Sequence, residues 1–198
     1  MSFRKEKKYR LSSYEASVLK VRLISSGMKR LYHDRKIVSI YFDTYDYKSF
    51  YDSEEGSLPR KKIRVRYYPG EISIMNLEIK ISSIEGRYKK TSTISDEDYF
   101  KLIKFGYVDN LYGKCIPTAQ VTYSRSYYQI LNGVRVTFDK DIIYKNYLNK
   151  INFREFEEVM EIKMPYETPD SVINKWLSIP ESRFSKYARS IHSFKKNN

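Results

Sequence analysis

The chain has 198 residues, of which 41% are hydrophobic and 31% are charged, and this predicts one globular domain spanning residues 1–198. A disordered or fibrous protein is excluded, and the single cysteine, Cys115, excludes an intramolecular disulfide and a cysteine-cluster zinc site. The formal charge of +13 predicts an anionic partner, but it does not choose among nucleic acid, an anionic membrane and phosphorylated small molecules.

Patterning and turn signals predict an alternation of strands and helices. The predicted elements are a strand over 6–11, a helix over 13–26, a strand over 36–43, a short helix or turn through 51, strands over 60–68 and 74–82, a helix from 95–98 to 106, strands over 119–131, 134–142 and 156–164, and helices over 170–177 and 181–194. Antiparallel strands dominate this order, which indicates an α+β fold.

Caps and turn dipeptides set several of these boundaries. Ser12 and Glu15 have the spacing of a capping box, which predicts the start of the first helix. Pro69-Gly70 and Asn132-Gly133 are turn signals, so each predicts a hairpin between the strands that flank it.

No apolar run approaches the ~18 residues that a membrane-spanning helix needs. The N-terminal sequence MSFRKEKKYR also lacks the apolar segment of a secretion signal. We therefore expect a soluble, cytoplasmic protein. A membrane protein as partner, with peripheral attachment through it, is left open.

Five predicted strands carry charged side chains at every second position. In the clearest case Lys62, Arg64 and Arg66 share one face of a strand. The other strands carry Glu6 with Lys8, Glu78 with Lys80, Arg135 with Thr137 and Asp139, and Glu161 with Lys163. For one strand, a solvated outer face is the simpler interpretation. Across five strands a binding face is favoured, because the guanidinium groups suit forked contacts with phosphate oxygens.

These charged faces predict a tunnel if the strands close into a barrel with the charges inward and the helices packed outside. An empty lumen of this kind repels itself, since two unit charges 4 Å apart cost on the order of 4 kcal/mol at an effective dielectric near 20. A ligand with several linked phosphates relieves that repulsion. The minority acids Glu6, Glu78 and Glu161 suit a divalent metal that bridges phosphates. The predicted fold is therefore an antiparallel closed β-barrel.

A set of short motifs carries a family resemblance. In chain order they are Arg4-x-Glu6-x-Lys8-Tyr9, Tyr41-Phe42-Asp43-Thr44, Lys62-x-Arg64-x-Arg66-Tyr67, Leu77-Glu78-Ile79-Lys80, Arg135-x-Thr137-x-Asp139, Glu161-x-Lys163 and Phe184-Ser185-Lys186-Tyr187. The chain resembles, over nearly its whole length, the catalytic domain of the vacuolar transporter chaperone (VTC) family. These are polyphosphate polymerases within the CYTH-like triphosphate tunnel metalloenzyme superfamily.

The resemblance implies an enzyme that transfers the γ-phosphoryl group of ATP to inorganic polyphosphate with Mn²⁺ or Mg²⁺. The implied catalytic residues are Lys8, Arg64, Arg66, Lys80, Arg125, Arg135, Lys163 and Lys186. The expected substrate-binding residues are Lys62, Lys89, Lys90, Thr137 and Ser185, and the expected metal ligands are Glu161, Glu78 and Glu6. Many superfamily members carry two glutamates before the lysine of the first strand, whereas here Arg4 takes the first of these positions.

Two alternatives stay open. A triphosphatase acting on inorganic triphosphate or an RNA 5′ end would need a carboxylate that activates water, and Glu78 is the candidate. A non-catalytic polyanion-binding module would use the nine Lys and Arg residues of residues 60–90, a segment that contains only three Glu residues. Because the acids interleave with the bases, no specific nucleic acid is expected, and the expected partners are ATP, polyphosphate or triphosphate. Replacing Arg64 or Arg66 with Ala is expected to reduce turnover and leave the fold intact.

Overall fold

The computed structural model describes residues 4–70, 74–130, 133–174, 177 and 179–196. The strands are β1 (Arg4–Leu11), β2 (Lys29–Asp43), β3 (Arg60–Tyr67), β4 (Met75–Ser83), β5 (Gly86–Ile94), β6 (Tyr107–Asp109), β7 (Gly113–Ile130), β8 (Val134–Asn146), β9 (Asn152–Arg154) and β10 (Glu158–Pro165). The helices are α1 (Ser13–Ser25), α2 (Lys48–Glu55), α3 (Asp96–Phe105), α4 (Asp170–Asn174) and α5 (Lys186–Lys196). Among the described helices, none has the length and apolarity needed to cross a bilayer.

The strands form one antiparallel sheet, which confirms the predicted α+β class. The hydrogen-bonded order is β1-β10-β8-β7-β2-β3-β4-β5, with β6 paired to β7 and β9 paired to β8. The prediction of a closed barrel is overstated, because within the described residues no pairing joins β1 to β5. β5 has the character of an edge strand: its residues 87–93 are all exposed and include Lys89 and Lys90, and exposed lysines disfavour further strand pairing.

The chain divides into two compact units, each built from several segments. Unit 1 comprises Met1–Arg35, Tyr123–Ile142 and Glu155–Phe184, and unit 2 comprises Lys36–Thr122, Ile143–Arg154 and Ser185–Asn198. β2, β7 and β8 each contribute residues to both units. The single-domain assignment stays a prediction.

In unit 1, α1 covers the apolar face of the strands. The Ser12 hydroxyl accepts from the Glu15 backbone N–H at 3.2 Å and the Glu15 carboxylate accepts from the Ser12 N–H at 2.8 Å, so the predicted capping box is present. The core includes Ala16, Leu19 and Leu23 of α1, Tyr9 and Leu11 of β1, Val136 and Phe138 of β8, and Met160, Ile162 and Met164 of β10. These strands therefore leave their other face to the charged residues.

In unit 2, α3 packs on the apolar face of β3 and β4. Ile40, Phe42, Ile63, Val65, Met75 and Ile79 form the buried centre, and Tyr99, Leu102 and Ile103 of α3 pack against it. Gly106 ends α3 with φ +84, and a Cβ there would lie 2.4 Å from the Cys115 carbonyl oxygen. A glycine is required at this helix end because both the backbone conformation and the close approach exclude a side chain.

Several boundaries differ from the sequence prediction. β2 begins at Lys29 rather than at residue 36, and α5 begins at Lys186 rather than at residue 181. β5, β6 and β9 were not predicted, since β5 is polar along its length and the other two have three residues each. The predicted helix over 170–177 and the predicted Asn132-Gly133 turn lie partly outside the described residues. Of these two predictions, the described residues contain α4 and Gly133, whose φ is +74.

Candidate functional site

Three lysines of unit 2 lie in a row across neighbouring strands. Lys62 of β3 is opposite Lys80 of β4, which in turn is opposite Lys89 of β5. Like charges directly opposite each other destabilise a sheet unless an anion lies between them. Lys90 is opposite Ile79 and thus lies on the other face of β5, because consecutive residues of a strand point to opposite faces. The substrate-binding role of Lys90 stays a prediction.

The neighbouring row is built around a carboxylate with two cations. Glu78 of β4 is opposite Arg64 of β3, and the Arg64 Nε donates to Glu78 Oε2 at 2.7 Å. The Lys89 Nζ lies 2.6 Å from Glu78 Oε1. Burial opposes ionisation of Glu78, whose side chain is 6% exposed, but Arg64 and Lys89 outweigh it and lower the pKa to about 2. Both carboxylate oxygens are therefore engaged, so Glu78 orients Arg64 and Lys89, and its role as a metal ligand stays a prediction.

Three residues that the sequence analysis gave no role hold this site together. Tyr41 Oη accepts from Arg64 Nη1 at 3.1 Å, and the Tyr41 ring stacks on Tyr187 with centroids 5.0 Å apart. The Tyr187 hydroxyl donates to Asp43, which is fully buried. Asp43 also accepts hydrogen bonds from the backbone N–H groups of Thr44, Ser49 and Phe50. These three residues belong to Tyr41-Phe42-Asp43-Thr44 and Phe184-Ser185-Lys186-Tyr187, two of the motifs that carry the family resemblance. Their place in those motifs was the sequence signal that could have indicated a role.

The start of α5 brings two further predicted residues to the same face. The Lys62 Nζ donates to Ser185 Oγ at 3.2 Å, immediately before α5 begins at Lys186. Burial opposes ionisation of the Tyr41 phenol, but Arg64 and Lys186 outweigh it and lower its pKa. Lys62, Ser185 and Lys186 are therefore grouped with Arg64, as expected of residues that contact one anion.

Arg66 lies at the next position along this face. It is opposite Ser39 of β2 and Asn76 of β4, and its guanidinium lies 5.5 Å from the ring centroid of Tyr68. Ser39 is fully buried, and its hydroxyl has no hydrogen-bond partner within the described residues. Buried polar groups in proteins are nearly always satisfied, so this hydroxyl marks a place where a water or ligand oxygen would bond.

In unit 1, β1 and β10 place acidic and basic side chains opposite each other, and Arg135 and Thr137 of β8 extend the two rows. Each row takes one residue from β1, one from β10 and one from β8. The first row is Glu6, Lys163 and Arg135, and the second is Lys8, Glu161 and Thr137. The Lys163 Nζ lies 2.7 Å from Glu161 Oε1 and 3.9 Å from Glu6 Oε2. The Lys8 Nζ lies 2.9 Å from Glu6 Oε1. The structure thus brings the two predicted carboxylates and the two predicted lysines of this unit together.

Arg125 is anchored and Arg135 is exposed. The Arg125 Nε and Nη2 donate to the two oxygens of Asp139 at 2.5 and 2.7 Å, and Asp139 is fully buried. Burial opposes ionisation of Glu161, but Lys163, Arg125 and Lys8 outweigh it and keep its pKa well below the usual range. The phosphate-binding roles of Arg125 and Arg135 stay predictions.

The unit 1 carboxylates fit a hard divalent cation that takes most of its ligands from elsewhere. Glu6 and Glu161 supply carboxylate oxygens, and the buried Thr137 hydroxyl beside Glu161 has no hydrogen-bond partner within the described residues. The part of the chain that the structure describes contains no group of three or more His, Cys, Asp or Glu side chains arranged for a metal. Mg²⁺ characteristically accepts one or two carboxylates and keeps water and phosphate oxygens, so these residues fit it or Mn²⁺.

Comparisons with solved structures identify the fold. A putative adenylate cyclase from Bacillus halodurans matches with a TM-score of 0.62 and 13% identity, covering 93% of this chain and 94% of that chain. A putative adenylyl cyclase from Hippeastrum matches with a TM-score of 0.61 and 16% identity, covering 96% of both chains. The protein PH1819 from Pyrococcus horikoshii matches with a TM-score of 0.58 and 14% identity, covering 96% of this chain and 99% of that chain. The chain therefore shares the fold of these three proteins.

Sequence comparison gives the family. No curated protein matches the chain significantly. The VTC domain matches residues 3–113 and 107–195, which together span nearly the whole chain and confirm the resemblance read from the motifs. The chain therefore belongs to the VTC domain family.

Proposed function

We propose that this protein is a metal-dependent phosphotransferase that moves the γ-phosphoryl group of ATP onto inorganic polyphosphate. The observation that carries the proposal is the row formed by Lys62, Lys80 and Lys89. Neighbouring strands lie ~4.8 Å apart, so a chain of linked phosphates laid across them meets one ammonium group after another. A single phosphate would reach fewer of these ammonium groups. Membership of the VTC domain family supports the same substrate class.

The proposed mechanism needs positioning and charge neutralisation more than proton transfer. In phosphoryl transfer the negative charge spreads over the equatorial oxygens of the transferred group. Arg64 is held by Glu78 and Tyr41, which leaves it oriented for phosphate, and Lys62 with Lys186 adds positive charge at the start of α5. The acceptor is a terminal phosphate that is already ionised near neutral pH, so no strong general base is required.

The unit 1 residues would hold the metal. Glu161 and Glu6 are the proposed ligands, and both lie beside lysines, since Lys8 pairs with Glu6 and Lys163 pairs with Glu161. Burial opposes ionisation of Glu161, but Lys163, Arg125 and Lys8 outweigh it and lower its pKa. A bound Mn²⁺ or Mg²⁺ supplies additional charge neutralisation at phosphate oxygens. Removal of the metal with EDTA should therefore abolish turnover while leaving the protein folded.

The second candidate function is triphosphate hydrolysis. The Hippeastrum neighbour is described as having a dominant triphosphatase activity, which makes hydrolysis the natural alternative. Hydrolysis requires a carboxylate that takes a proton from water, and Glu78 was the candidate. With its pKa lowered to about 2 and both oxygens engaged, Glu78 is a weak base, which favours transfer to phosphate over transfer to water.

Product analysis tests the proposal. Purified protein is incubated with γ-labelled ATP and Mn²⁺, and separately with tripolyphosphate, and the products are resolved on a gel. Lengthening polyphosphate supports the proposal, whereas free phosphate without chain growth assigns the protein to hydrolysis. No turnover of either substrate assigns it to polyanion binding.

A matched pair of variants connects the activity to the site. Lys89→Ala should lower turnover at least about tenfold, because it removes one charge from the row and one partner of Glu78. Lys90→Ala changes the next residue on the opposite face and should leave turnover unchanged. Equal losses in both variants would contradict the proposed site.

A further inference from the structure

The outer face of α1 is apolar although it faces solvent. Its exposed side chains are Tyr14 (79%), Val18 (50%), Val21 (66%) and Ile24 (51%). Spacings of four, three and three residues place them along one side of the helix, opposite the buried side that packs on unit 1. We call these four residues the outer stripe. An apolar row of this length on a helix already packed on its other side marks an interaction surface.

Positive charge surrounds the outer stripe. Arg22 is exposed beside it, and Lys29 and Arg30 are exposed just beyond the end of α1. Residues 13–36 contain six Lys and Arg residues against two acids, a net charge of +4. One of those acids, Glu15, is used in the helix cap, and the other, Asp34, pairs with Arg30 at 2.6 Å. The surface therefore complements an anionic, partly apolar partner.

We propose that the outer stripe docks α1 on the surface of an anionic lipid bilayer. Interfacial helices bury an apolar face at the level of the acyl boundary and keep cations at the headgroups, and each cation near such a surface adds to the attraction. Tyr14 at one end is of the residue type that prefers the interface between apolar and aqueous surroundings. A second copy of this chain is a poor occupant, because it would bring two surfaces of charge +4 together.

The proposal is tested by flotation with vesicles of phosphatidylcholine alone and with phosphatidylserine added to about 30%. The wild-type protein should bind only the phosphatidylserine vesicles, and high salt should release it. The double variant Val18→Ser/Val21→Ser should lower the partition coefficient at least about tenfold, and Arg22→Glu should lower it severalfold. Circular dichroism verifies that each variant is folded.

Phe156→Ser is the matched control. Phe156 is 86% exposed in the same unit, but its neighbours Glu155, Glu157 and Glu158 are acidic, so its replacement should leave vesicle binding unchanged. Phosphoryl turnover should be the same in all these variants, because none alters a residue assigned to phosphate or metal. Membrane docking and the proposed function can therefore fail independently.

A second measurement reports the position of the helix directly. In a Tyr14→Trp variant, brominated phosphatidylserine vesicles should quench more fluorescence than in the wild type, whereas a Phe156→Trp variant should show no additional quenching. Absence of binding, equal binding to both vesicle types, or unchanged binding by the double variant would overturn the proposal. Loss of a dimer in the double variant, measured by light scattering, would also overturn it and assign the stripe to a second copy.

Discussion

Arg64 shows how a single side chain is prepared for a ligand. Its guanidinium donates to Glu78 and to the Tyr41 hydroxyl, and the side chains of Arg64 and Glu78 are only 14% and 6% exposed. A planar guanidinium held by contacts at several nitrogens presents its charge in a fixed orientation, which the flexible ammonium group of a lysine does not. The arrangement also ties Arg64 to the stability of the fold.

Replacing Arg64 with Ala should reduce both activity and stability. The sequence predicted an intact fold, because removing one cation from a positively charged face relieves repulsion. The structure adds a larger opposing effect: without Arg64, the buried Glu78 keeps Lys89 as its remaining described ion-pair partner. Removing one member of a buried pair typically costs roughly 3 kcal/mol, so we expect a loss of about 2–4 kcal/mol in the free energy of unfolding and about 100-fold in kcat/KM. Urea denaturation and steady-state kinetics measure the two effects.

The double variant Arg64→Ala/Glu78→Gln separates the effect on stability from the effect on activity. Because the unpaired charge is then absent, stability should recover in large part while activity should stay low. An Arg64→Ala protein as stable as the wild type would show that the Glu78 ion pair contributes little.

The low pKa of Glu78 predicts a pH-dependent contribution to stability. The pKa is near 4.5 for the free side chain and about 2 in the folded protein, so the folded state favours the charged form. This contribution is fully present above pH ~4.5 and is lost as the pH falls towards 2. The difference in unfolding free energy between wild type and Glu78→Gln should be roughly 2–3 kcal/mol at pH 7 and should shrink between pH ~4.5 and ~2. A difference that stays constant over this range would contradict the shift.

At the scale of the elements, removing a lysine from the row should raise the stability of the ligand-free protein and lower its affinity for a polyanion. Lys80 lies between Lys62 and Lys89, so Lys80→Ala removes two like-charge contacts. Without ligand the variant should be more stable than the wild type by about 0.5 kcal/mol, and its affinity for tripolyphosphate should be lower by about tenfold. Thermal denaturation and isothermal titration calorimetry measure these effects, with Lys90→Ala as the neutral control. A destabilised Lys80→Ala protein would show that the row is not repulsive.

Elements with a strong local signal could be predicted from the sequence. α1 was defined by its capping box and its three buried residues, and β3 by the alternation of Lys62, Arg64 and Arg66 with apolar residues. β5 has no apolar alternation, and its place in the sheet follows only from pairing with β4. Local patterns therefore predict the elements that contain part of the core, but they do not predict an exposed edge strand.

The partners of the site residues depend on register and long-range contacts, which a sequence does not specify. Alternation predicts that only one of Lys89 and Lys90 lies with Lys80, yet the choice between them depends on the β4–β5 register. Asp43 and Tyr187 are 144 positions apart, so their hydrogen bond had no local signal. The residue types of the site could be predicted from the charged stripes, and the pairs that orient them could not.

For the whole molecule, the charge of +13 is a cost in the absence of ligand and a source of affinity in its presence. Self-repulsion destabilises a compact state of high net charge. The lysine row of unit 2 concentrates this repulsion on neighbouring strands, where the side chains cannot move far apart. A bound polyanion should therefore stabilise the folded protein more than the number of its contacts alone would indicate.

Tripolyphosphate should raise the melting temperature more than orthophosphate does at equal ionic strength. A ligand at 100 times its Kd stabilises the folded state by about 2.7 kcal/mol, which corresponds to roughly 5–11 °C for a protein of this size. The linked phosphates of tripolyphosphate can contact several lysines of the row together, whereas orthophosphate contacts one or two. The effect should decline as NaCl is raised, since counterions screen the exposed members of the row. In the triple variant Lys62→Ala/Lys80→Ala/Lys89→Ala the advantage of tripolyphosphate should disappear. If orthophosphate stabilised the wild type equally, the positive charge would act as a general field, and the row would not be a site for linked phosphates.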